Sequence, residues 1–269
     1  MIERQIPDFD LAQIARSGQC FRLNETGEGC FSLVAHGLLL HLEQQGETVR
    51  FACGDTAFEL IWRPYFDLDA DYGAYKRTVS VRDKYLCAAV QAGGGIRILR
   101  QDLWETIVSF IISQQNNLPR IKKCVENLSL LFGETCYNES KEVYNAFPTP
   151  DALARCETAD LAPVRLGYRA KYIVETARLV ASGTVDLAAV ARMRYGEARE
   201  ELLRLSGVGV KVAECICLFA LHHIDAFPID THIRQMLEAH YPKGFPLRRY
   251  RGFAGVMQQY AFYYELGTN

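Results

Sequence analysis

The chain has 269 residues, of which 49% are hydrophobic and 23% charged, and its formal net charge is −2. This composition is typical of a globular protein with room for one large domain or two small ones. No stretch approaches the roughly 20 apolar residues of a membrane helix, so we expect no membrane partner and a cytoplasmic location. The slightly acidic balance gives no general sign of nucleic-acid binding.

The nine cysteines are an odd number scattered through the chain, which is typical of free thiols in a reducing compartment. Cys215 and Cys217 are the only close pair, and a single residue between two cysteines is by itself a poor metal-ligand spacing. We therefore expect these two to be buried helix residues, and we expect neither a metal nor another cofactor.

The first third of the chain predicts an antiparallel sheet. From about residue 28 to residue 65, β-rich runs show partial alternation of apolar and polar residues, with turn residues between the runs. Three consecutive glycines, Gly93 to Gly95, then interrupt the chain. We predict an N-terminal α+β domain over residues 1–97.

Residues 98–269 predict an all-α domain, so the whole chain falls in the α+β class, with a sheet domain packed on a helical one. Short Gly, Pro or Asp interruptions separate the helical segments. These segments span approximately 102–115, 118–133, 149–156, 169–183, 195–207, 210–223, 230–241 and 250–266. Asp151 and Asp230 stand at helix starts, and Gly133, Gly183 and Gly207 stand at helix ends.

The stretch from Leu205 to Ala213, LSGVGVKVA, connects two of these helices. Gly207 and Gly209 permit a tight hairpin with positive φ, and the next helix begins with free N–H groups. Such a helix start can bind a phosphate through backbone donors and the helix dipole, without basic side chains. A purely structural corner between two helices would explain the glycines equally well.

Lys211 lies at the start of the second helix, and Asp230 follows 19 residues later in the segment AFPIDTH. A lysine at a helix start is usually a solvated charge, and an aspartate before Thr231 and His232 is usually only an N-cap. The combination of hairpin, lysine and acid is more specific than any of the three alone.

The segments LSGVGVKVAECICLFAL and FPIDTHI resemble the helix-hairpin-helix DNA glycosylases, specifically the 8-oxoguanine DNA glycosylase family. Four other segments resemble the family in the same order. They are SGQCFRL at 17–23, SFIISQQNNLPRI at 109–121, RLGYRAKY at 165–172 and AGVMQQYAFYYE at 254–265. The resemblance covers nearly the whole chain and implies an enzyme of base excision repair.

The resemblance implies a DNA glycosylase and AP lyase, with Lys211 as the nucleophile and Asp230 as the essential acid. A neutral lysine amine can attack the sugar C1′, form a Schiff base and permit strand cleavage by β-elimination. A nearby carboxylate would stabilise the positive charge that develops on the sugar. The implied partner is double-stranded DNA containing oxidised guanine, and we expect a monomer associated with the nucleoid if the cell is prokaryotic.

The resemblance also implies a pocket for an extruded base. Gly18 matches the family glycine whose carbonyl accepts a hydrogen bond from N7–H of 8-oxoguanine, a contact that guanine cannot make. Gln258 and Phe262 are four residues apart, so both can face the base from one helix, and Cys215 lies one turn beyond Lys211. Without the resemblance, core packing would be the ordinary explanation of Phe262 and Cys215.

The residues that fill the gap in the duplex and read the opposite base are implied in the same way. They are Gln115, Asn116, Asn117, Arg120, Tyr168 and Arg169. The family's usual residue at the position of Gln115 is asparagine, which makes the expected preference for an opposite cytosine less firm than the lesion itself. His232 matches a family histidine that contacts a backbone phosphate, and Gly207 and Gly209 form the phosphate-binding hairpin.

Three alternatives remain open at this point. Glycosylases for alkylated bases share the scaffold but lack the lysine, and the endonuclease III-like branches carry a four-cysteine iron-sulfur cluster, for which no cysteines follow Cys217. A noncatalytic DNA-binding protein could use the hairpin alone. A small-molecule enzyme is disfavoured, because the sequence has no phosphate loop or dinucleotide-binding motif.

Overall fold

The structure, a computed structural model, describes residues 1–268. Its N-terminal part contains a five-stranded antiparallel sheet in the order β1-β5-β4-β3-β2. The strands are β1 (Ile2–Gln5), β2 (Leu23–Gly27), β3 (Cys30–Ala35), β4 (Leu38–Gln45) and β5 (Thr48–Phe51). Every second residue of β3 is buried, and Leu33 pairs with Leu40 of β4. The alternation in the sequence therefore corresponds to one face of the sheet that covers a core.

The expectation of strands as far as residue 65 is wrong at its end. The last strand ends at Phe51, and helix α2 (Asp55–Ala57), a π-helical turn (Phe58–Trp62) and α3 (Arg63–Tyr65) follow. The large side chains in this segment recur at helical spacing: Phe58, Trp62 and Tyr65 are all buried. Burial of one helical stripe thus outweighs the β propensity of the aromatic residues.

Three further helices lie in the N-terminal part: α1 (Leu11–Arg16), α4 (Tyr72–Arg77) and α5 (Lys84–Ala92). Tyr72, Leu86 and Ala89 belong to the hydrophobic core of the helical domain, whereas the sheet has its own core with Phe51 and Trp62. The fold is thus an α+β arrangement of an antiparallel sheet and a helical domain. The boundary between residues 97 and 98 stays a prediction.

The helical domain follows the sequence expectation closely. Its helices are α6 (Leu103–Ser113), α7 (Leu118–Phe132), α8 (Pro150–Ala154), α9 (Arg169–Ala181), α10 (Leu187–Val190), α11 (Tyr195–Leu202), α12 (Val210–Phe219), α13 (Thr231–His240) and α14 (Ala254–Thr268). A short hairpin of β6 (Thr135–Tyr137) and β7 (Val143–Asn145) interrupts them. Asp230 caps α13 as expected, but α8 is capped by the hydroxyl of Thr149, and Asp151 lies in its first turn.

Two polar groups connect the domains. The Gln19 side chain accepts a hydrogen bond from the Leu99 amide at 2.9 Å and donates one to the Arg97 carbonyl at 2.9 Å. Asp67 accepts from Tyr72 at 3.0 Å and from Arg100 at 3.1 Å. The Gln19 contacts hold the segment next to Gly18 against residues 97–99, where the two parts of the chain join. Within the described residues, no helix is both long and apolar enough to span a bilayer.

Candidate active site

The hairpin between α11 and α12 uses its two glycines differently. Gly207 has φ 76°, and a Cβ at this position would lie 2.7 Å from Tyr172, so both the backbone conformation and the close approach require glycine. The Gln114 side chain donates to the Gly207 carbonyl at 2.9 Å. Gly209 caps α12 with φ −93° and ψ 178°, and its Cβ position is open. The expected positive φ is therefore wrong for Gly209.

Lys211 and Asp230 face the same cavity. Lys211 is the second residue of α12, and its Nζ lies 5.4 Å from the centroid of the Phe110 ring. Asp230 accepts a hydrogen bond from the Ile233 amide at 2.9 Å, which orients its carboxylate at the positive end of α13. Burial raises the pKa of the Cys215 thiol, the Lys211 ammonium opposes that shift, and the charge of Asp230 adds to it. Lysine, acid and thiol are thus close enough to affect one another.

The predicted base-pocket residues do come together. Gly18, Cys215, Gln258 and Phe262 line the same cavity as Lys211 and Asp230. Gln258 donates from its amide nitrogen to the Pro228 carbonyl at 3.0 Å, while its Oε1 is buried and has no hydrogen-bond partner among the described residues. The cavity holds only about 40 Å³, little more than the roughly 30 Å³ share of one water. A purine would need side chains to move.

Gly18 has φ 73°, and a Cβ at this position would lie 3.0 Å from the Phe262 ring, so the ring rests directly on the glycine. The neighbouring carbonyl of Ser17 accepts a 2.5 Å hydrogen bond from Gln259. Gln259 and Phe110 also line the cavity, and neither is among the residues predicted from the sequence. A second glutamine directly after Gln258 was the available signal for the first, while Phe110 lies in a largely apolar helix segment that does not distinguish it.

A wider cleft of about 700 Å³ opens beside this cavity. The predicted DNA-contacting residues Gln115, Asn116, Asn117, Gly209 and His232 line it together with the active-site residues. His232 lies edge-on to Phe262, with ring centroids 5.9 Å apart. The cleft thus extends from the turn before α7 to the start of α13.

The turn at Gln115 has an unusual backbone. Gln115 has φ 47°, a left-handed conformation that asparagine adopts more readily than glutamine. Asn116 donates to the Ile112 carbonyl at 3.1 Å, and Asn117 caps α7 through the Arg120 amide at 3.0 Å. Tyr168 is half exposed, and its hydroxyl is 3.5 Å from the Gln115 amide oxygen. These two side chains stand together at the cleft edge.

The two arginines expected to read the opposite base differ in placement. Arg120 is exposed, and its guanidinium donates to the Arg165 carbonyl at 3.4 Å. Arg169 is 5% exposed and donates to the carbonyls of Gln114 and Gln115, the latter at 3.1 Å. In this structure Arg169 supports the turn, and Arg120 is the guanidinium that faces solvent.

Within residues 1–268, no group of three His, Cys, Asp or Glu side chains is arranged to hold a metal ion.

Two family models match the chain. Residues 1–107 match the N-terminal domain of 8-oxoguanine DNA glycosylase. Residues 108–243 match the HhH-GPD superfamily of base excision DNA repair proteins.

Curated relatives and solved structures agree with these matches. The N-glycosylase/DNA lyase of Saccharomyces cerevisiae is 32% identical over 86% of this chain and 68% of its own length. A probable N-glycosylase/DNA lyase of Methanothermobacter thermautotrophicus is 30% identical, over 96% of this chain and 93% of its own. The 8-oxoguanine glycosylase/lyase of Clostridium acetobutylicum, in complex with DNA containing cytosine opposite 8-oxoG, superposes with a TM-score of 0.91 at 35% identity, over 97% and 93% of the two chains.

Proposed function

This chain belongs to the 8-oxoguanine DNA glycosylase family of the HhH-GPD superfamily and is a DNA glycosylase with AP lyase activity, and we propose that it excises 8-oxoguanine paired with cytosine by covalent catalysis through Lys211. One observation carries the proposal. A single cavity at the start of α12 is lined by five residues from distant parts of the sequence: Gly18, Lys211, Asp230, Gln258 and Phe262.

Lys211 supplies the nucleophile. The lone pair of its neutral amine attacks C1′ of the damaged nucleotide, and the glycosidic bond breaks with its electron pair leaving on the base, which then takes up a proton. Opening of the sugar ring converts the adduct into a Schiff base between C1′ and Nζ. Loss of a proton from C2′ then breaks the C3′–O bond and cleaves the strand, and water releases the lysine.

Asp230 stabilises the charge that develops on the sugar. The hydrogen bond from the Ile233 amide and the start of α13 hold the carboxylate at the cavity wall. Positive charge appears at C1′ as the base departs, and a fixed carboxylate lowers the energy of that state more than that of the neutral nucleotide. Asp230 therefore acts both as an N-cap and as an electrostatic group.

Gly18 and Gln258 provide selectivity. The Gly18 carbonyl would accept the N7–H of 8-oxoguanine, whereas guanine would present a lone pair there, a mismatch worth about 1 to 3 kcal/mol. The Oε1 of Gln258, which none of the residues in 1–268 contacts as a donor, is an acceptor for the N1–H and N2–H donors on the pairing edge of the base. Phe262, which contacts Gly18 in the cavity, would stack on the base after moving off that glycine.

The cleft residues would hold the DNA around the extruded nucleotide. Tyr168 and the Gln115 turn stand at the edge where the base leaves the duplex, and a polar amide with an aromatic ring can fill the vacated space. Arg120 is the exposed donor for the acceptor edge of an opposite cytosine. The amides of α12 and the His232 side chain would bind phosphates next to the lesion.

Borohydride trapping tests the proposal. The protein is incubated with a duplex containing one 8-oxoguanine opposite cytosine, and borohydride should reduce the Schiff base to a stable covalent complex. Lys211→Gln should abolish that complex, while Lys123→Gln, which changes an exposed lysine on α7, should leave it intact. Base release without a trapped complex would contradict the covalent step, and DNA binding with neither would support a noncatalytic protein.

A further inference from the structure

A second and larger groove lies beside the active-site cleft, with a volume of about 1040 Å³. Val210, Lys211, Ile229 and Arg234 line both. We propose that this groove binds the sugar-phosphate backbone of the damaged strand, next to the nucleotide whose C1′ reaches Lys211. The proposal rests on the proposed function, because it needs a DNA strand that passes Lys211.

The groove borders the most basic segment of the chain. Between α13 and α14 the sequence carries Lys243, Arg248, Arg249 and Arg251, and no Asp or Glu occurs between Glu238 and Glu265. The whole chain is slightly acidic, with a net charge of −2. Positive charge is therefore concentrated at one place on an otherwise acidic protein, which is the distribution expected of a local phosphate-binding surface.

Three arginines present this charge to the groove: Arg234, Arg248 and Arg251, here called the groove arginines. All three are exposed, and none makes a side-chain hydrogen bond or an ion pair to any residue that the structure describes. Arg249, by contrast, donates to the Thr78 carbonyl at 3.0 Å and does not line the groove. The guanidinium groups facing the groove are thus free to bind an external anion.

The acidic residues of the groove do not cancel this charge equally. Glu214 accepts a 2.5 Å hydrogen bond from Tyr195 and forms a 3.0 Å ion pair with Arg199. Asp225 accepts from the Gly252 amide at 2.8 Å. Glu238 is the remaining acid of the lining. Lys211 and the groove arginines therefore face mainly carboxylates that already have partners.

The position of Arg234 connects the groove to the catalytic centre. It lies four residues after Asp230 on α13, so both can face the same side of that helix. Val210 and Ile229, which are 54% and 43% exposed, line both the cleft and the groove, so the two are continuous at these residues. A strand whose sugar is held at Lys211 has to continue past this point, where guanidinium groups can bind phosphates in a bidentate manner.

The salt dependence of DNA binding tests the proposal. The dissociation constant for a duplex with one tetrahydrofuran abasic-site analogue, which has no base to release, is measured at several salt concentrations. The wild type is compared with the variant Arg234→Gln, Arg248→Gln, Arg251→Gln. Each lost phosphate contact should make the slope of log Kd against log salt shallower by about 0.9, so we expect a decrease of about two to three units. The matched control, Arg82→Gln, Arg155→Gln, Arg192→Gln, changes exposed arginines outside both linings and should keep the wild-type slope.

A slope equal to that of the wild type in the groove variant would overturn the inference, and so would an equal loss in the control. Duplexes shortened on one side of the lesion provide a second readout, because the difference between variant and wild type should disappear when the flank that lies in the groove is removed. Excision of 8-oxoguanine by the wild type is measured in parallel. If the wild type excises 8-oxoguanine and the slope of the groove variant equals that of the wild type, only the groove proposal is contradicted. If the slope of the groove variant is reduced but the wild type does not excise the base, only the proposed reaction is contradicted.

Discussion

Gly207 and Gly209 lie two residues apart in the hairpin, but only Gly207 has a left-handed backbone and a close neighbour. We expect Gly207→Ala to lower the free energy of unfolding by at least about 1 to 2 kcal/mol, since a side chain there has an unfavourable φ and meets Tyr172. Gly209→Ala should change it by less than about 1 kcal/mol, because its φ is ordinary. Urea denaturation of both variants measures the difference, and equal losses would contradict this account.

Arg120 and Arg169 also differ at the residue scale. Arg120→Gln should weaken the preference for cytosine opposite the lesion and leave stability almost unchanged, because its guanidinium is exposed. Arg169→Gln should cost about 2 to 3 kcal/mol of stability, since hydrogen bonds from a charged donor are worth about 1.5 to 3 kcal/mol and the carbonyls of the Gln115 turn lose theirs.

The measurements are urea denaturation and excision rates with each of the four opposite bases. A large loss of discrimination in Arg169→Gln with native stability would mean that Arg169 leaves the turn and contacts the opposite base.

At the scale of an element, helix α13 begins at Asp230, which is its N-cap and the proposed catalytic acid. Asp230→Asn keeps an oxygen for the Ile233 amide, so stability should change little, because asparagine and aspartate are similar N-caps. The lost charge should slow base excision by on the order of 10²- to 10³-fold. Single-turnover excision and thermal unfolding of the same sample separate the two roles. Asp230→Ala is the control and should lose about 1 kcal/mol of stability in addition.

Glu105 is in the first turn of α6, and charges from both parts of the chain act on it, among them Arg22 of the N-terminal part. Its titration therefore belongs to the scale of the whole molecule. Burial raises the pKa of Glu105 to about 8, the charges of Asp102 and Glu126 add to the shift, and Arg22 opposes it. The folded protein therefore keeps a proton that the unfolded chain releases near its ordinary pKa of 4.5. The contribution of Glu105 to stability should therefore fall as pH rises from about 4.5 to 8 and then level off.

We expect Glu105→Gln to remove this part of the pH dependence, so the stability of the variant relative to the wild type should increase from pH 5 to pH 8. Glu139→Gln, at an exposed position, is the control. Parallel curves for the wild type and Glu105→Gln over this range would show that the Glu105 carboxyl titrates normally.

The local features of the site could be predicted because they depend on residues close in sequence. The hairpin, Lys211 and the capping by Asp230 follow from glycine conformation, helix starts and N-cap chemistry within 26 consecutive residues, from Leu205 to Asp230. The helices of the second domain follow in the same way from periodicity. The resemblance then assigned roles to residues such as Gly18 and Phe262, but contact between them was not in the pattern.

The tertiary structure decided what depends on residues far apart in the chain. Phe262 rests on Gly18, Gln259 binds the Ser17 carbonyl, and Arg169 turns inward to the Gln115 turn. The same holds for the helical segment after residue 54 and for the groove arginines, which come from two elements. Local propensity acts over a few residues, whereas these arrangements arise from packing and from the need of buried polar groups for partners, and both are settled only when the whole chain is folded.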